Sequence, residues 1–250
     1  MEVTGMMKID AKGIYYKNLN DMIREAVEKG EKKFILLNVN GQRYIGAGIR
    51  GSDITFEIYG TPGNDMASFM NGPYITVYGN AQDGIGNTMN AGTVVVHGHG
   101  GDVIGYGMRG GKIFIRDEVG YRVGIHMKAY KDQIPAIVAG GTAGDFFGEY
   151  MAGGILVLLG LRRRGRELVG RYLGTGMHGG VMYIRGDVKG YLLGAEVRVA
   201  EPDEKDMRKI SELVKEYCDH FQEDYDKIMS EPFVKIYPLG HRPYGRLYAY

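Results

Sequence analysis

Hydrophobic positions along this chain recur in a seven-residue pattern, apolar at the first place and methionine or isoleucine at the fifth, with glycine between and after. The copies read IGAGIRG (residues 45–51), MASFMNG (66–72), IGNTMNA (85–91), IGYGMRG (104–110), VGIHMKA (123–129), FGEYMAG (147–153) and LGTGMHG (173–179). Met70, Met89, Met108 and Met127 follow one another at intervals of 19 residues; Met151 and Met177 come after 24 and 26, and Ile49 stands 21 residues ahead of Met70. Self-similarity at a fixed period near 20 marks a solenoid.

After each copy comes a short run that alternates or is continuously apolar: ITFEI (54–58), YITVY (74–78), TVVVH (93–97), KIFIR (112–116), ILVLL (155–159) and VMYIR (181–185). Period-two runs within a period of 19 predict strands stacked coil upon coil. The expected fold is all-β, a right-handed parallel β-helix of about seven coils of ~19 residues over residues 41–199. The methionines should form a buried ladder, since equivalent residues of stacked coils lie about 4.8 Å apart.

Residues 1–40 lack the repeat and read as an α/β cap: a helix with Asn20 as N-cap and Gly30 as its stop, then a strand over 33–39. Residues 200–250 form a third region. Pro202-Asp203 opens a helix whose apolar residues Met207, Ile210, Leu213, Val214, Tyr217, Cys218, Phe221, Ile228 and Met229 fall on one stripe. The tail over 230–250, with Tyr237, Tyr244, Tyr248 and Tyr250, reads as extended and packed. Two segments lengthen the repeat, 128–140 and 161–169, and both are expected as surface loops. The second carries Arg162, Arg163, Arg164 and Arg166; it reads as a solvated loop, with an acidic partner or a phosphate as the competing reading.

Composition narrows the function. Glycine accounts for 41 of 250 residues, far above the usual ~7%, as recurring tight corners require. A net charge of +1 gives no nucleic-acid footprint, and the single cysteine, Cys218, fits a reducing cytoplasm. No apolar run reaches the length of a membrane span.

Candidate chemistry is sparse. GxGxxG occurs at 46–51, 105–110 and 174–179, but each copy leads into another strand, not the helix that a dinucleotide site needs. His97 and His99 lack a third local ligand for a metal. His126 and His178 lie on opposite sides of their methionines, and Asp145 and Glu149 sit in a glycine corner. Cys218 falls on the apolar stripe and reads as core. Asn64, Asp83 and Asp102, 19 residues apart, supply only two acids, too few for a carboxylate row on the flank of a polymer-acting β-helix enzyme. The expectation is therefore no catalytic, cofactor-binding or metal residues and no bound cofactor.

The wording of the repeat, with NVNGQRYIG (38–46), GTPGNDMASFMNG (60–72), GNAQDGIGNTMNAG (79–92) and GDVIGYGMRGGKI (101–113), closely resembles the C-terminal GXGXG domain of the glutamate synthase large subunit. The short N-terminal region and the terminal RPYGRLYAY are similar to its free-standing archaeal-type form; a related repeat occurs in the scaffold component of formylmethanofuran dehydrogenase. The resemblance implies a β-helix without catalytic residues that holds a glutamine amidotransferase and an FMN- and iron–sulfur-containing synthase in register. Ammonia would pass between those two partners, neither of whose catalytic signatures occurs here. Partnership with those subunits, a cytoplasmic location, and neither nucleic acid nor membrane as a partner are the expectations; homo-oligomerisation is left open. In the second copy Ala67 and Phe69 replace glycines.

Overall fold

The computed structural model describes residues 6–163 and 165–240. Its strands form one sheet in the order β1-β2-β3-β4-β5-β6-β7-β8-β9-β11-β10. They are β1 (Met6–Asp10), β2 (Lys33–Asn40), β3 (Thr55–Thr61), β4 (Asn71–Tyr78), β5 (Ala91–Val96), β6 (Lys112–Ile115), β7 (Ala136–Ala139), β8 (Ala152–Leu158), β9 (Gly179–Arg185), β10 (Val197–Ala200) and β11 (Phe233–Pro238). Pairing is parallel from β1 to β9. The chain is a parallel β-solenoid of about six turns, slightly fewer than the sequence repeat suggests.

Alternation along each strand divides the faces. Phe34, Phe56, Ile75, Val94, Ile113, Ile137, Leu156 and Met182 follow one another in register and are all buried in the inner core. Met70, Met89, Met108, Met127, Met151 and Met177 are buried in that same core, as the 19-residue ruler requires. Burying such side chains contributes roughly 1.5–3 kcal/mol each.

The seven-residue pattern makes the corner opposite the sheet. In the central copy, Tyr106 N–H donates to Val103 C=O and Met108 N–H to Gly105 C=O, two overlapping turns. Val103, Gly105 and Gly107 take φ of 50°, 68° and 57°, so alternate residues are left-handed. The amides of the left-handed residues stay outside these turns and bond to neighbouring coils. Gly105 N–H donates to Ile85 C=O, Arg109 N–H to Met89 C=O, and Gly107 N–H to Ile125 C=O in the following coil. A corner thus stacks as a strand does, which is why its sequence repeats so closely. Ala67 and Phe69 keep φ of 61° and 56°, so the second corner holds its shape without glycine.

The two ends are closed differently. At the start, α1 (Tyr16–Glu28) crosses from β1 to the parallel β2 and buries Leu19, Ile23 and Ala26 in the inner core. At the finish, residues 188–197 form a partial coil in which Leu192 and Val197 are buried. There the Glu196 carboxylate accepts from Gly176 N–H at 3.0 Å, standing in for the carbonyl of a further coil. The helices α2 (Glu204–Phe221) and α3 (Tyr225–Met229) cover the outer face of the later strands. Ile210, Val214, Tyr217, Cys218 and Phe221 pack there on Val95, Phe114, Val138, Val157 and Tyr183.

Several expectations need correction. Asn20 lies inside α1, buried, and donates to Tyr16 C=O and Arg43 C=O; Tyr15 is the N-cap residue. Residues 128–140 are not one surface loop: 129–134 are exposed, but β7 is a fully buried strand of the sheet. The C-terminal helix is two helices, because Gln222 turns left-handed at φ 56° and Asp224 caps α3 afresh. Met207 is 37% exposed and lies off the buried stripe. Part of the supposed tail is β11, antiparallel to β9. Tyr244, Tyr248, Tyr250 and Arg164 lie outside the described residues.

Candidate functional site

The groups singled out in the sequence are taken up by the architecture. The three GxGxxG stretches are solenoid corners, and their amides bond to adjacent coils or, at Gly176, to the Glu196 carboxylate. Each is followed by a strand, so no helix N-terminus faces them.

The acidic row is likewise occupied. Asp83 Oδ1 accepts from Asp102 N–H at 2.8 Å, and Asp102 Oδ1 accepts from Tyr121 N–H at 2.8 Å. Asp145 Oδ1 accepts from Arg171 N–H at 2.7 Å and performs the same task two corners further on. Sequence reading missed that Asp145 continues this row, since the lengthened interval after Met127 hides its place. These carboxylates splice successive coils by taking the backbone N–H of the next one. Glu149 is buried and pairs with Arg122 at 2.9 Å.

His97 stacks on Tyr78 at 5.1 Å and meets Phe221 edge-on, while His99 is exposed and faces Glu118. Burial and the nearby Arg116 and His220 charges lower the His97 pKa. Among the described residues no cluster of three or more His, Cys, Asp or Glu side chains could hold a metal. Burial pushes the Cys218 thiol up to about 11, so it stays protonated and unreactive. Among the described residues no helix is long and apolar enough to cross a membrane.

The arginine loop is exposed, as expected, but two of its arginines are engaged within the chain. Arg162 pairs with Glu223 and approaches Asp117 at 3.7 Å; Arg166 pairs with Glu118. Tyr217 Oη donates to Arg116 C=O at 2.8 Å beside them, so the loop ties the end of α2 to the solenoid. The other end of α2 is fixed by Asp206, which closes a capping box with Asp203. Asp206 accepts from Tyr183 at 2.5 Å and from Lys235 at 2.6 Å. Burial alone would raise the Asp206 pKa, but these hydrogen bonds hold it below the ordinary carboxylate value.

Exposed and ordered rings occur at the Tyr59–Tyr78 stack, 4.7 Å apart, and along the corner edge of the later coils. His126 stacks on Tyr150 at 5.3 Å and meets Tyr106 edge-on at 5.7 Å. Beside them Phe146 stacks on Tyr172 at 4.9 Å, with the Arg122 guanidinium 4.5 Å over the Phe146 ring. A second open region, a cleft of about 1050 Å³ at the N-terminal end, is lined by Lys12, Tyr15, Asn38, Gln42 and Tyr59. Its amides are already engaged: Asn38 donates to Asp10, and Gln42 to Ala11 C=O and Ile14 C=O. The arrangement is that of a stacked frame with surfaces to dock on.

Fold and repeat together define the class, a β-solenoid assembled from glycine corners. A family model for the GXGXG motif matches residues 19–239. The chain belongs to the GXGXG motif family, the domain type found at the C-terminus of the glutamate synthase large subunit. It is also 48% identical over 249 residues to an uncharacterised protein of Methanocaldococcus jannaschii, covering 96% of this chain and 95% of that protein.

Proposed function

We propose that this chain is a non-catalytic structural subunit of a split glutamate synthase. In that role it holds a glutamine amidotransferase polypeptide and an FMN- and iron–sulfur-containing synthase polypeptide in register, in the cytoplasm. The observation that carries the reading is that the GXGXG model spans residues 19–239, most of this chain. The uses found for its polar groups support it, since Asp83, Asp102 and Asp145 bond coil to coil rather than converge on a cleft. A stand-alone enzyme acting on a polymer would need such carboxylates unengaged.

Purified chain tests the non-catalytic half directly. It should be colourless, bind neither FMN nor a pyridine nucleotide, and release no ammonia from glutamine. Glutaminase activity that one substitution in this chain abolishes would refute the assignment.

A further inference from the structure

We propose that the corner edge bearing Tyr106, Phe146, Tyr150 and Tyr172 is where this chain docks a partner subunit, a protein presenting carboxylates around an apolar patch. The inference rests on the structural-subunit reading above and names the face that reading requires.

Three observations converge on this edge. Tyr106, Tyr150 and Tyr172 are 42%, 45% and 52% exposed although they stand in ordered stacks. Rings already held in place lose little conformational entropy on binding, and aromatic and arginine side chains are what interface centres enrich. From Tyr106 to Tyr172 the stacks cross four successive corners, ~14 Å at ~4.8 Å per coil, the scale of an interface centre.

Charge then selects the occupant. Arg122 is neutralised within the chain by Glu149. Arg109, Lys128 and Arg171 are exposed on the same edge and form no ion pair with a described residue. The arginine loop differs, because Arg162 and Arg166 have carboxylates of their own. A rim of unpaired cations around aromatic rings calls for carboxylates around an apolar centre on the partner. A second copy of this chain would set like charges together. His126, Tyr150 and Phe146 each have a ring face covered by a neighbouring ring, which leaves ring edges for a partner. Protein side chains pack against ring edges readily.

The test uses the full chain and the purified amidotransferase and synthase subunits from the same organism, with binding measured by calorimetry. Charge reversal by Arg109→Glu, Lys128→Glu and Arg171→Glu should weaken binding of one subunit ~10-fold or more and flatten its salt dependence. The melting temperature should stay unchanged. Tyr172→Ser, at the outer end of its stack, should raise the dissociation rate. Reversing Lys205, Lys209 and Lys227, on α2 and α3, should leave affinity unaltered. If the edge variants bind both subunits like the wild type, this surface is wrong and the structural-subunit reading stands. Failure of the wild-type chain to bind either subunit would overturn both.

Discussion

Gly86 sits so close to Ile113 that a methyl group on its Cα would lie 2.5 Å from Ile113 Cδ1. The same relation holds at Gly46 with Ile75, 2.8 Å, and at Gly124 with Leu156, 2.7 Å. The glycine at the second position of these corners therefore answers two demands, a left-handed backbone and the close approach of a strand side chain on the inner face. Gly86→Ala should destabilise the fold by ~2–4 kcal/mol through strain and overpacking. Ile113→Val, which removes the offending methyl, should recover part of that loss in a urea titration of the double variant.

Ala67 occupies this corner position in the second copy, and by register Val94 holds the place that Ile113 has in the next coil. The smaller valine accompanies the larger corner residue. Val94→Ile should thus cost ~1–3 kcal/mol with Ala67 present and much less beside Ala67→Gly. A double-variant cycle reads the coupling; additive effects would show that the two positions do not meet.

The methionine ladder makes a second stability statement. Met108 is fully buried within the inner core. Met108→Leu should cost under ~1.5 kcal/mol. Met108→Asp places an unpaired charge there and should prevent folding or cost more than ~4 kcal/mol. Circular dichroism melts distinguish the two.

Acid should loosen α2. His97 and His220 both titrate below the ordinary imidazole value, chiefly because burial disfavours the charged ring. For His220, Glu216 and Asp219 oppose the shift, while Lys112 adds to it. With the folded-state value depressed, the unfolded chain binds more protons as pH falls. The stability held above about pH 6.5 should be lost progressively below it. Urea midpoints between pH 7.5 and 5 should show the decline, and His97→Phe, which keeps a ring between Tyr78 and Phe221, should make it shallower.

The 19-residue interval of Met70, Met89, Met108 and Met127 made the solenoid legible, because each coil must return the same side chain to the same inner site. Cys218 was legible too, through its place on an apolar stripe. β7 was not: residues 129–134 intervene after Met127, and Ala136–Ala139 is too short and weakly alternating to read as a strand. Asp145 escaped for the same reason, since its coil is lengthened and the row it completes no longer repeats at 19. Asn20 looked like a cap because asparagine favours one, yet tertiary bonding to Arg43 C=O drew it inside the helix. The corner edge was hidden because its rings sit at different positions of the repeat, Tyr106 at the third and Tyr150 at the fourth. Only stacking of coils brings them together.

The most direct test of the structural-subunit account is glutamate formation by purified amidotransferase and synthase subunits, assayed with and without this chain. Glutamine-dependent synthesis should rise sharply when the chain is added, while synthesis from free ammonia stays unchanged, because what the chain supplies is the alignment of two sites. Equal glutamine-dependent rates with and without it would contradict the account.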